Sequence, residues 1–315
     1  MLMIFEEEKP ITIFGCIADI QYADIEDRFI YGRKRYYRNG IEQVKRAVAD
    51  WKKMQSIYGV EFKFVLQLGD LLDVRGRPED YDTNVIKILN EIRQLFSDID
   101  SKYNQKILHL LGNHETAAFI NRNFSTNISK QIILNDSKNY YYVDITNRIR
   151  LICLNLFEVN IYETNSHDFK KNYRHLVNMN STGHRFNGYN GAASQNQLRW
   201  LKKQLEISKA QNKKVILAGH SPLLSNKVAD INVAWNAEQI VSLIRSFDDL
   251  VICYLAGHFH QGGYFKDAKT HHLTLNSILE AKPTNSLKPY VTGLVYENRL
   301  VMMDKIKNKS FSAYF

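Results

Sequence analysis

The sequence predicts an α/β fold. Short apolar runs of strand length alternate along the chain with longer amphipathic segments of helical period. Within each short run the apolar residues are continuous rather than alternating, which is typical of strands that are covered on both faces. With 315 residues, 44% of them hydrophobic, the chain can also bury a large core.

The predicted strands are rich in β-branched and aromatic residues, and each ends near a glycine or a polar turn. Seven of them span 11–17, 62–68, 107–111, 140–143, 151–156, 215–218 and 251–256. The tail after residue 270 predicts three antiparallel strands, at 272–275, 294–296 and 300–303. The pattern is therefore βαβ-like early in the chain and antiparallel late.

Four segments between these strands predict helices. Residues 38–55 and 82–97 each carry one apolar stripe with spacings of three or four residues. A third helix begins at Ser194, where Gln197 completes a capping-box pattern. A fourth begins near Asn236.

The segment from about 160 to 191 shows neither the helical nor the strand period of apolar residues, and it is rich in Asn, His and Tyr. We interpret it as a long insertion within a single domain that spans residues 1–315. Long loops of this kind often serve as lids or specificity loops. A disordered surface loop is an alternative that the pattern leaves open.

Composition and charge restrict the class of protein. No apolar run approaches the roughly 20 residues that span a bilayer, and the N-terminus does not resemble a secretory signal. The three cysteines, Cys16, Cys153 and Cys253, each lie in an apolar run, so a cytoplasmic protein with reduced thiols is expected. The net charge of +9 would attract polyanions, but the basic residues are spread along the chain, apart from the 33–38 run. Nucleic acid is therefore an unlikely partner.

Metal-ligand residue types follow five of the apolar runs. Rigid strands fix such side chains while the adjoining loops leave an open face. The residues are Asp19 and Gln21, then Asp70 and Asp73, then Asn113, His114 and Glu115, then His220, and finally His258 and His260. Each group by itself is common in structural roles, but all five in this order indicate a metal site.

This set resembles the calcineurin-like metallophosphoesterase superfamily, whose pattern runs D-x-H, G-D-x-x-D, G-N-H-E/D, G-H and G-H-x-H. The resemblance implies a metallophosphoesterase sandwich of two mixed β-sheets flanked by helices, with two divalent metal ions at the strand ends. It makes Asp70 the ligand that both metals share. It assigns the remaining ligands as Asp19, Gln21 and His260 for one metal and Asn113, His220 and His258 for the other.

The resemblance also implies a mechanism. Two metal ions about 3.5–4 Å apart can hold a phosphoryl oxygen and share a hydroxide, which would attack phosphorus in line. His114 matches the family's histidine that does not bind metal, and it would protonate the leaving oxygen or stabilise its charge. Asp73 matches the carboxylate that orients this histidine.

Gln21 stands where the family pattern has histidine. An amide oxygen is a hard ligand, so this exchange should favour Mn²⁺, with Mg²⁺, Fe or Zn²⁺ also possible. The stretch 18–24 resembles one branch, the manganese-dependent ADP-ribose/CDP-alcohol diphosphatases, and similar segments extend from about residue 12 to 300. Two departures from that branch are Gln261, where it usually has Asp, and Ala193, where it usually has an aromatic residue.

This branch implies hydrolysis of the pyrophosphate bond in nucleoside diphosphates linked to small molecules, such as ADP-ribose, CDP-choline or CDP-glycerol. Arg38, Phe186 and Tyr189 are candidates for substrate contacts, because phosphates need cations and nucleobases need flat apolar partners. Each of the three also fits an ordinary loop or core position.

Other members of the superfamily remain as alternatives. A protein phosphatase or other phosphomonoesterase and a cyclic-nucleotide phosphodiesterase share most of these motifs. Protein phosphatases usually have Arg where this chain has Leu111, and purple acid phosphatases have Tyr where it has Asp73. A repair nuclease would suit the charge of +9, but such nucleases usually have histidine where this chain has Gln21. A protein-binding scaffold with little activity is the alternative of another class, and the nearly complete ligand set argues against it.

Overall fold

Two six-stranded β-sheets lie face to face at the centre of the molecule. The computed structural model describes residues 8–97, 107–121, 139–162, 185–224, 230–284, 288–304 and 309–315. The strands are β1 Thr12–Ile17, β2 Arg28–Ile30, β3 Arg33–Arg35, β4 Glu61–Gln67, β5 Ile107–His109, β6 Tyr141–Asp144, β7 Ile149–Cys153, β8 Lys214–Ala218, β9 Val251–Ala256, β10 Gln261–Asp267, β11 Thr270–Asn276, β12 Val291–Val295, β13 Arg299–Asp304 and β14 Lys309–Tyr314. The α-helices are α1 Gly40–Tyr58, α2 Tyr81–Arg93, α3 Asn113–Asn121, α4 Gln195–Ala210 and α5 Ala237–Ser246.

Both sheets are mixed. The first sheet has the order β14-β13-β12-β1-β4-β5, with β1, β4 and β5 parallel and β12 antiparallel to β1. The second has the order β10-β11-β9-β8-β7-β6, with parallel pairing from β7 to β11 and an antiparallel strand at each edge. Strands β2 and β3 form a separate hairpin.

Apolar side chains fill three layers between these elements. Residues of β1 alternate: Ile13 and Ile17 pack with α1 and α2, whereas Phe14 and Cys16 face the other sheet. A third layer lies between the second sheet and α4 and α5. The parallel strands are therefore covered on both faces, as their continuous apolar sequence predicts. Among the described residues, no helix is long and apolar enough to cross a bilayer.

The predicted α/β sandwich is confirmed, and the differences lie in individual elements. The predicted antiparallel strand at 272–275 is wrong in its pairing, because β11 runs parallel to β9 as well as antiparallel to β10. Strands β2, β3, β10 and β14 were not predicted, since exposed polar residues interrupt their apolar character. The predicted strand 151–156 runs beyond β7, because Leu154 and Leu156 are buried in the loop that follows.

The N-terminus of α4 confirms half of the predicted capping box. The Ser194 hydroxyl accepts a hydrogen bond from the Gln197 N–H at 3.2 Å. The Gln197 side chain does not reach back to Ser194. It is buried and bonds both backbone groups of Asn155 instead, at 2.8 and 2.9 Å. This glutamine fixes the loop after β7 rather than the helix end.

Candidate metal centre

The carboxyl ends of strands from both sheets meet at one edge of the sandwich. Asp19 and Gln21 follow β1, Asp70 follows β4, and Asn113 follows β5. The second sheet contributes His220 after β8, and His258 and His260 after β9. Parallel strands bring their carboxyl ends to the same edge, so ligand types that are distant in sequence become neighbours.

The backbone is strained at four of these positions. Asp19, Gln21, Asp70 and His258 have φ angles of 50°, 42°, 55° and 66°, in the left-handed region that residues with side chains rarely adopt. Each such residue costs on the order of 1–3 kcal/mol, and strain of this kind concentrates at functional sites. Hydrogen bonds between the loops stabilise this strained backbone conformation. For example, the Gln21 N–H donates to the Asp70 carbonyl at 2.9 Å.

Glycines allow these loops to approach each other. A methyl group at Gly112 would overlap the carboxylate of Asp70, and one at Gly69 would overlap the ring of His220. A methyl group at Gly257 would lie 2.6 Å from Asp19 Oδ2. The Gly-Asp, Gly-Asn and Gly-His pairs of the sequence are therefore a steric requirement of the site.

The polar atoms converge on a small buried volume. His220 Nε2 lies 3.4 Å from Asp70 Oδ2 and 4.0 Å from Asp19 Oδ1, and His260 Nε2 lies 3.6 Å from Asp19 Oδ1. One ligand atom each from Asp70, His220 and His258 lies within 4.8 Å of the other two. Such a cluster of buried carboxylates and imidazoles matches the donor set of a divalent metal ion.

Each of the three histidines uses one ring nitrogen outside the site. His220 Nδ1 lies 2.7 Å from the carbonyl of Leu68, His258 Nε2 lies 2.7 Å from Asn190 Oδ1, and His260 Nδ1 lies 2.9 Å from Glu280 Oε1. The partners are a backbone carbonyl, an amide oxygen and a carboxylate, which all accept hydrogen bonds, so these nitrogens carry the hydrogen. The other nitrogen of each ring can then bind a metal once it carries no proton, an arrangement common in metalloproteins.

Several buried polar atoms converge here without a partner. Within the described part of the chain, Gln21 Oε1, Asn113 Oδ1 and His220 Nε2 have no hydrogen-bond partner. Leaving such atoms unpaired costs about 1–3 kcal/mol each. A divalent ion would satisfy them, so the residues present fit the metals that the sequence predicts.

Gln21 lies inside the cluster with its amide nitrogen turned towards it. Its Nε2 is 3.0 Å from Asp70 Oδ2 and 3.1 Å from His260 Nε2. An amide nitrogen donates hydrogen bonds and does not bind metal. Coordination by Gln21 therefore requires rotation of the amide by half a turn, which exchanges nitrogen for the unpartnered Oε1.

Two further side chains, to which the sequence motifs gave no role, support the cluster. Glu115 accepts hydrogen bonds from the backbone N–H groups of Asp70, Leu71 and Gly112 at 2.8, 2.5 and 2.9 Å, which joins the loops after β4 and β5. Burial, reinforced by the charge of Asp70, raises the pKa of Glu115 to about 7. The hydroxyl of Tyr162 lies beside the side chain of Asn113.

His114 lies at the edge of the cluster. Its Nε2 is 3.9 Å from Asp70 Oδ2, and its Nδ1 accepts a hydrogen bond from the N–H of Val74 at 3.2 Å. Asp73 Oδ2 is 3.7 Å from Nδ1, beyond hydrogen-bond distance, and Asp73 Oδ1 accepts from the N–H of Arg75 at 2.7 Å. The backbone of Val74 thus orients the ring directly, with Nε2–H facing the cluster.

Burial and neighbouring charges shift the pKa values of the buried groups in different directions. Burial is the largest single effect on the pKa of His220 and lowers it, but the carboxylates of Asp70 and Asp19 and the hydrogen bond to the Leu68 carbonyl together outweigh burial and raise that pKa to about 9. Burial and then the charge of His220 hold the pKa of His258 well below its usual value. Burial raises the pKa of Asp19. The cluster therefore holds protons that a bound cation has to displace.

The three residues predicted to contact substrate have different surroundings in the structure. The Tyr189 ring lies 5.8 Å from that of His258 and is partly exposed, so it borders the cluster. Phe186 is buried against Trp235 and Ala192, which makes it a core residue rather than a stacking surface. Arg38 is paired with Asp24 and Glu26, both at 2.5 Å, so its charge is already offset. These pairings depend on residues distant in sequence and could not be read from the loop itself.

The chain is similar over nearly its whole length to known phosphoesterases. The family model described as "Calcineurin-like phosphoesterase" matches residues 10–262. The chain belongs to the calcineurin-like phosphoesterase family. Curated relatives named manganese-dependent ADP-ribose/CDP-alcohol diphosphatase include one from Mus musculus, 30% identical over 94% of this chain and 91% of the relative. One from Arabidopsis thaliana is 28% identical over 96% of this chain and 97% of the relative.

A solved structure gives the same result for the fold. The dimetal phosphatase from Danio rerio is 27% identical, with a TM-score of 0.80 over 97% of this chain and 99% of that one. The family predicted from the five motifs is thereby confirmed, together with its two-sheet architecture.

Proposed function

We propose that the protein is a manganese-dependent hydrolase that splits the pyrophosphate bond of nucleoside diphosphates linked to small molecules, of the ADP-ribose or CDP-alcohol type. The observation that carries this proposal is the converging cluster that contains Gln21 between Asp70 and His260. The full-length similarity to diphosphatases named for this activity supports it.

We assign two metal positions to the cluster. Asp19, Gln21 and His260 would hold one ion and Asn113, His220 and His258 the other, with Asp70 between them; Gln21 would present Oε1. Hydrogen bonds from outside the site orient the three histidines for this role. Two bound Mn²⁺ ions would supply Lewis-acid activation of the phosphoryl group and of a water molecule.

The chain's own residues would handle the proton and the substrate. His114 would present Nε2–H to the leaving oxygen, since the Val74 N–H occupies its other nitrogen. Asp73, 3.7 Å from Nδ1, would help to hold the ring in this position. Tyr189, beside His258, would pack against the nucleobase or terminal group.

We also propose that the chain forms one domain, with the segment from about 160 to 191 acting as a specificity loop. Residues 163–184 of this segment lie outside the described residues. Its two ends reach the cluster, because Tyr162 contacts Asn113 and Asn190 contacts His258. A cytoplasmic location is proposed as well, where the free buried thiols Cys16, Cys153 and Cys253 would stay reduced.

A product assay tests the proposed reaction. Mn²⁺-loaded protein should convert ADP-ribose to AMP and ribose 5-phosphate, or CDP-choline to CMP and phosphocholine, as resolved by chromatography. The His114→Ala variant should lose turnover by roughly 10²- to 10⁴-fold while it keeps its Mn²⁺, measured by elemental analysis. Hydrolysis of simple phosphomonoesters alone would refute the proposal, and loss of metal from His114→Ala would refute the role of His114.

A further inference from the structure

The β2–β3 hairpin places an arginine at the rim of the cluster. Tyr31 and Gly32, with φ angles of 50° and 75°, form its two-residue turn. Both central residues have positive φ, which is the geometry of a tight type I′ hairpin. Arg33 immediately follows this turn, so its backbone position is well defined.

Arg33 connects to the cluster through Glu280. Arg33 Nη1 lies 3.1 Å from Glu280 Oε2, and Glu280 Oε1 lies 2.9 Å from His260 Nδ1. The side chain of Glu280 is only 12% exposed, whereas that of Arg33 is 45% exposed. The arginine is thus fixed at its inner edge and open to solvent elsewhere.

Backbone hydrogen bonds connect the residue before Glu280 to the segments that follow β1 and β3. The Leu279 N–H donates to the Asp19 carbonyl at 3.0 Å, and the Leu279 carbonyl accepts from the Tyr36 N–H at 2.8 Å. The hairpin, Glu280 and the end of β1 therefore form one connected unit. A guanidinium held in this way loses little conformational freedom on binding a ligand.

The charge of Arg33 is only partly offset. Glu280 divides its two oxygens between Arg33 and His260, and the contact to Arg33 involves one nitrogen. Arg38, in contrast, meets two carboxylates, those of Asp24 and Glu26. Of these two arginines on the same stretch of chain, Arg33 is the better placed to bind an anion beside the cluster.

We propose that Arg33, anchored by Glu280, binds the second phosphate of a diphosphate substrate while the metal cluster holds the phosphate that is attacked. This inference rests on the proposed function. A diphosphate carries two anionic groups, and a guanidinium offers paired N–H donors that match phosphate oxygens. Arg33 would then be a specificity-determining residue that favours diphosphates over compounds with one phosphate.

The hairpin offers a matched control. Side chains alternate between the two faces of a strand, so Lys34 lies on the face opposite to Arg33. Lys34 pairs with Asp27 at 3.4 Å and lies over the ring of Tyr36. The Lys34→Ala variant removes the same charge from the same hairpin without touching Glu280.

Equilibrium binding distinguishes contact between Arg33 and the second phosphate from a purely structural role of Arg33. Calorimetry on Mn²⁺-loaded protein would compare adenosine 5′-(α,β-methylene)diphosphate, which has two phosphates and resists cleavage of their link, with AMP. Arg33→Ala should weaken binding of the diphosphate by roughly 10- to 100-fold and of AMP by less than about threefold. Arg33→Lys should lie between Arg33→Ala and wild type, because lysine keeps the charge but not the paired donors.

Other results would overturn the inference. Equal losses for both ligands, or a reduced Mn²⁺ content, would mean that Arg33 only supports His260 and the fold. Equal effects of Arg33→Ala and Lys34→Ala would indicate a general effect of charge. Absence of ADP-ribose or CDP-choline hydrolysis by wild-type protein would refute the proposed function, and the binding comparison would still give a separate answer on Arg33.

Discussion

The amide of Gln21 is the clearest point at which a single residue sets the chemistry of this site. It stands between Asp70 Oδ2 and His260 Nε2, at 3.0 and 3.1 Å, and it is almost fully buried. A histidine at this position would offer a nitrogen donor, whereas glutamine offers a hard oxygen when its amide is turned. The residue therefore bears on which metal the site prefers.

Replacing Gln21 with histidine tests this interpretation. We expect the Gln21→His variant to shift relative affinity from Mn²⁺ towards Zn²⁺ by about tenfold, since imidazole is the softer donor. Competition titrations of metal-free protein with the two ions would measure the shift. Gln94 is exposed at the C-terminal end of α2, and Gln94→His serves as the control. An unchanged ratio would mean that Gln21 does not contact metal.

At the scale of loops and strands, the site depends on close packing between backbone segments. The loops after β4 and β5 share four hydrogen bonds to Glu115, and glycines at their tips allow the contact. The positive φ angles of Asp19 and Asp70 aim these carboxylates at the cluster. The strained backbone is compensated by the bonds between loops.

The glycine before Asn113 provides a test at this scale. Gly112→Ala should displace the Asp70 carboxylate, because the added methyl group overlaps it, and Mn²⁺ affinity should fall roughly 10- to 100-fold. Gly263→Ala is the matched control, since its methyl group would meet only Phe265 at 3.9 Å. Mn²⁺ titration with circular dichroism would separate lost binding from lost folding. Normal Mn²⁺ binding by a folded Gly112→Ala protein would contradict the geometry.

At the scale of the molecule, the cluster spans the two sheets. Asp19, Asp70 and Asn113 follow strands of the first sheet, and His220, His258 and His260 follow strands of the second. The inter-sheet core holds the sheets together independently, with Phe14, Cys16 and Leu66 facing strands of the other sheet. Metal binding would add a second connection between the sheets at one edge.

Metal should therefore stabilise the whole fold. At a free Mn²⁺ concentration of 100 times Kd, linkage gives about 2.7 kcal/mol, or a rise in Tm of roughly 4 °C for a chain of this size. Thermal unfolding with Mn²⁺ and with EDTA would measure it. The rise should shrink at lower pH, because the ligand histidines and carboxylates must lose protons to bind metal.

The Asp70→Asn variant is the informative comparison for this effect. It removes the carboxylate that would contact both ions while it keeps the side-chain shape, so most of the Mn²⁺-dependent rise should disappear. An undiminished rise in Asp70→Asn would place the stabilising metal elsewhere in the molecule.

Hydrophobic patterning and short motifs were enough to predict the fold class, the family and the residues that meet at the cluster. Strand positions along the chain could be inferred because buried parallel strands have continuous apolar runs, and the ligand types follow those runs directly. The Gly-Asp, Gly-Asn and Gly-His pairs were visible as motifs, although their steric reason was not. Local sequence carries this information since each motif lies within a few residues of its strand.

The side chains that support and border the cluster could be identified only in the folded chain. Glu280, Asn190 and Tyr162 contact His260, His258 and Asn113, partners that lie at least 20 residues away in the chain. The same holds for the burial of Phe186 by Trp235, which removes it from the candidate substrate contacts. These contacts depend on the packing of distant loops, and no local period or motif encodes such packing.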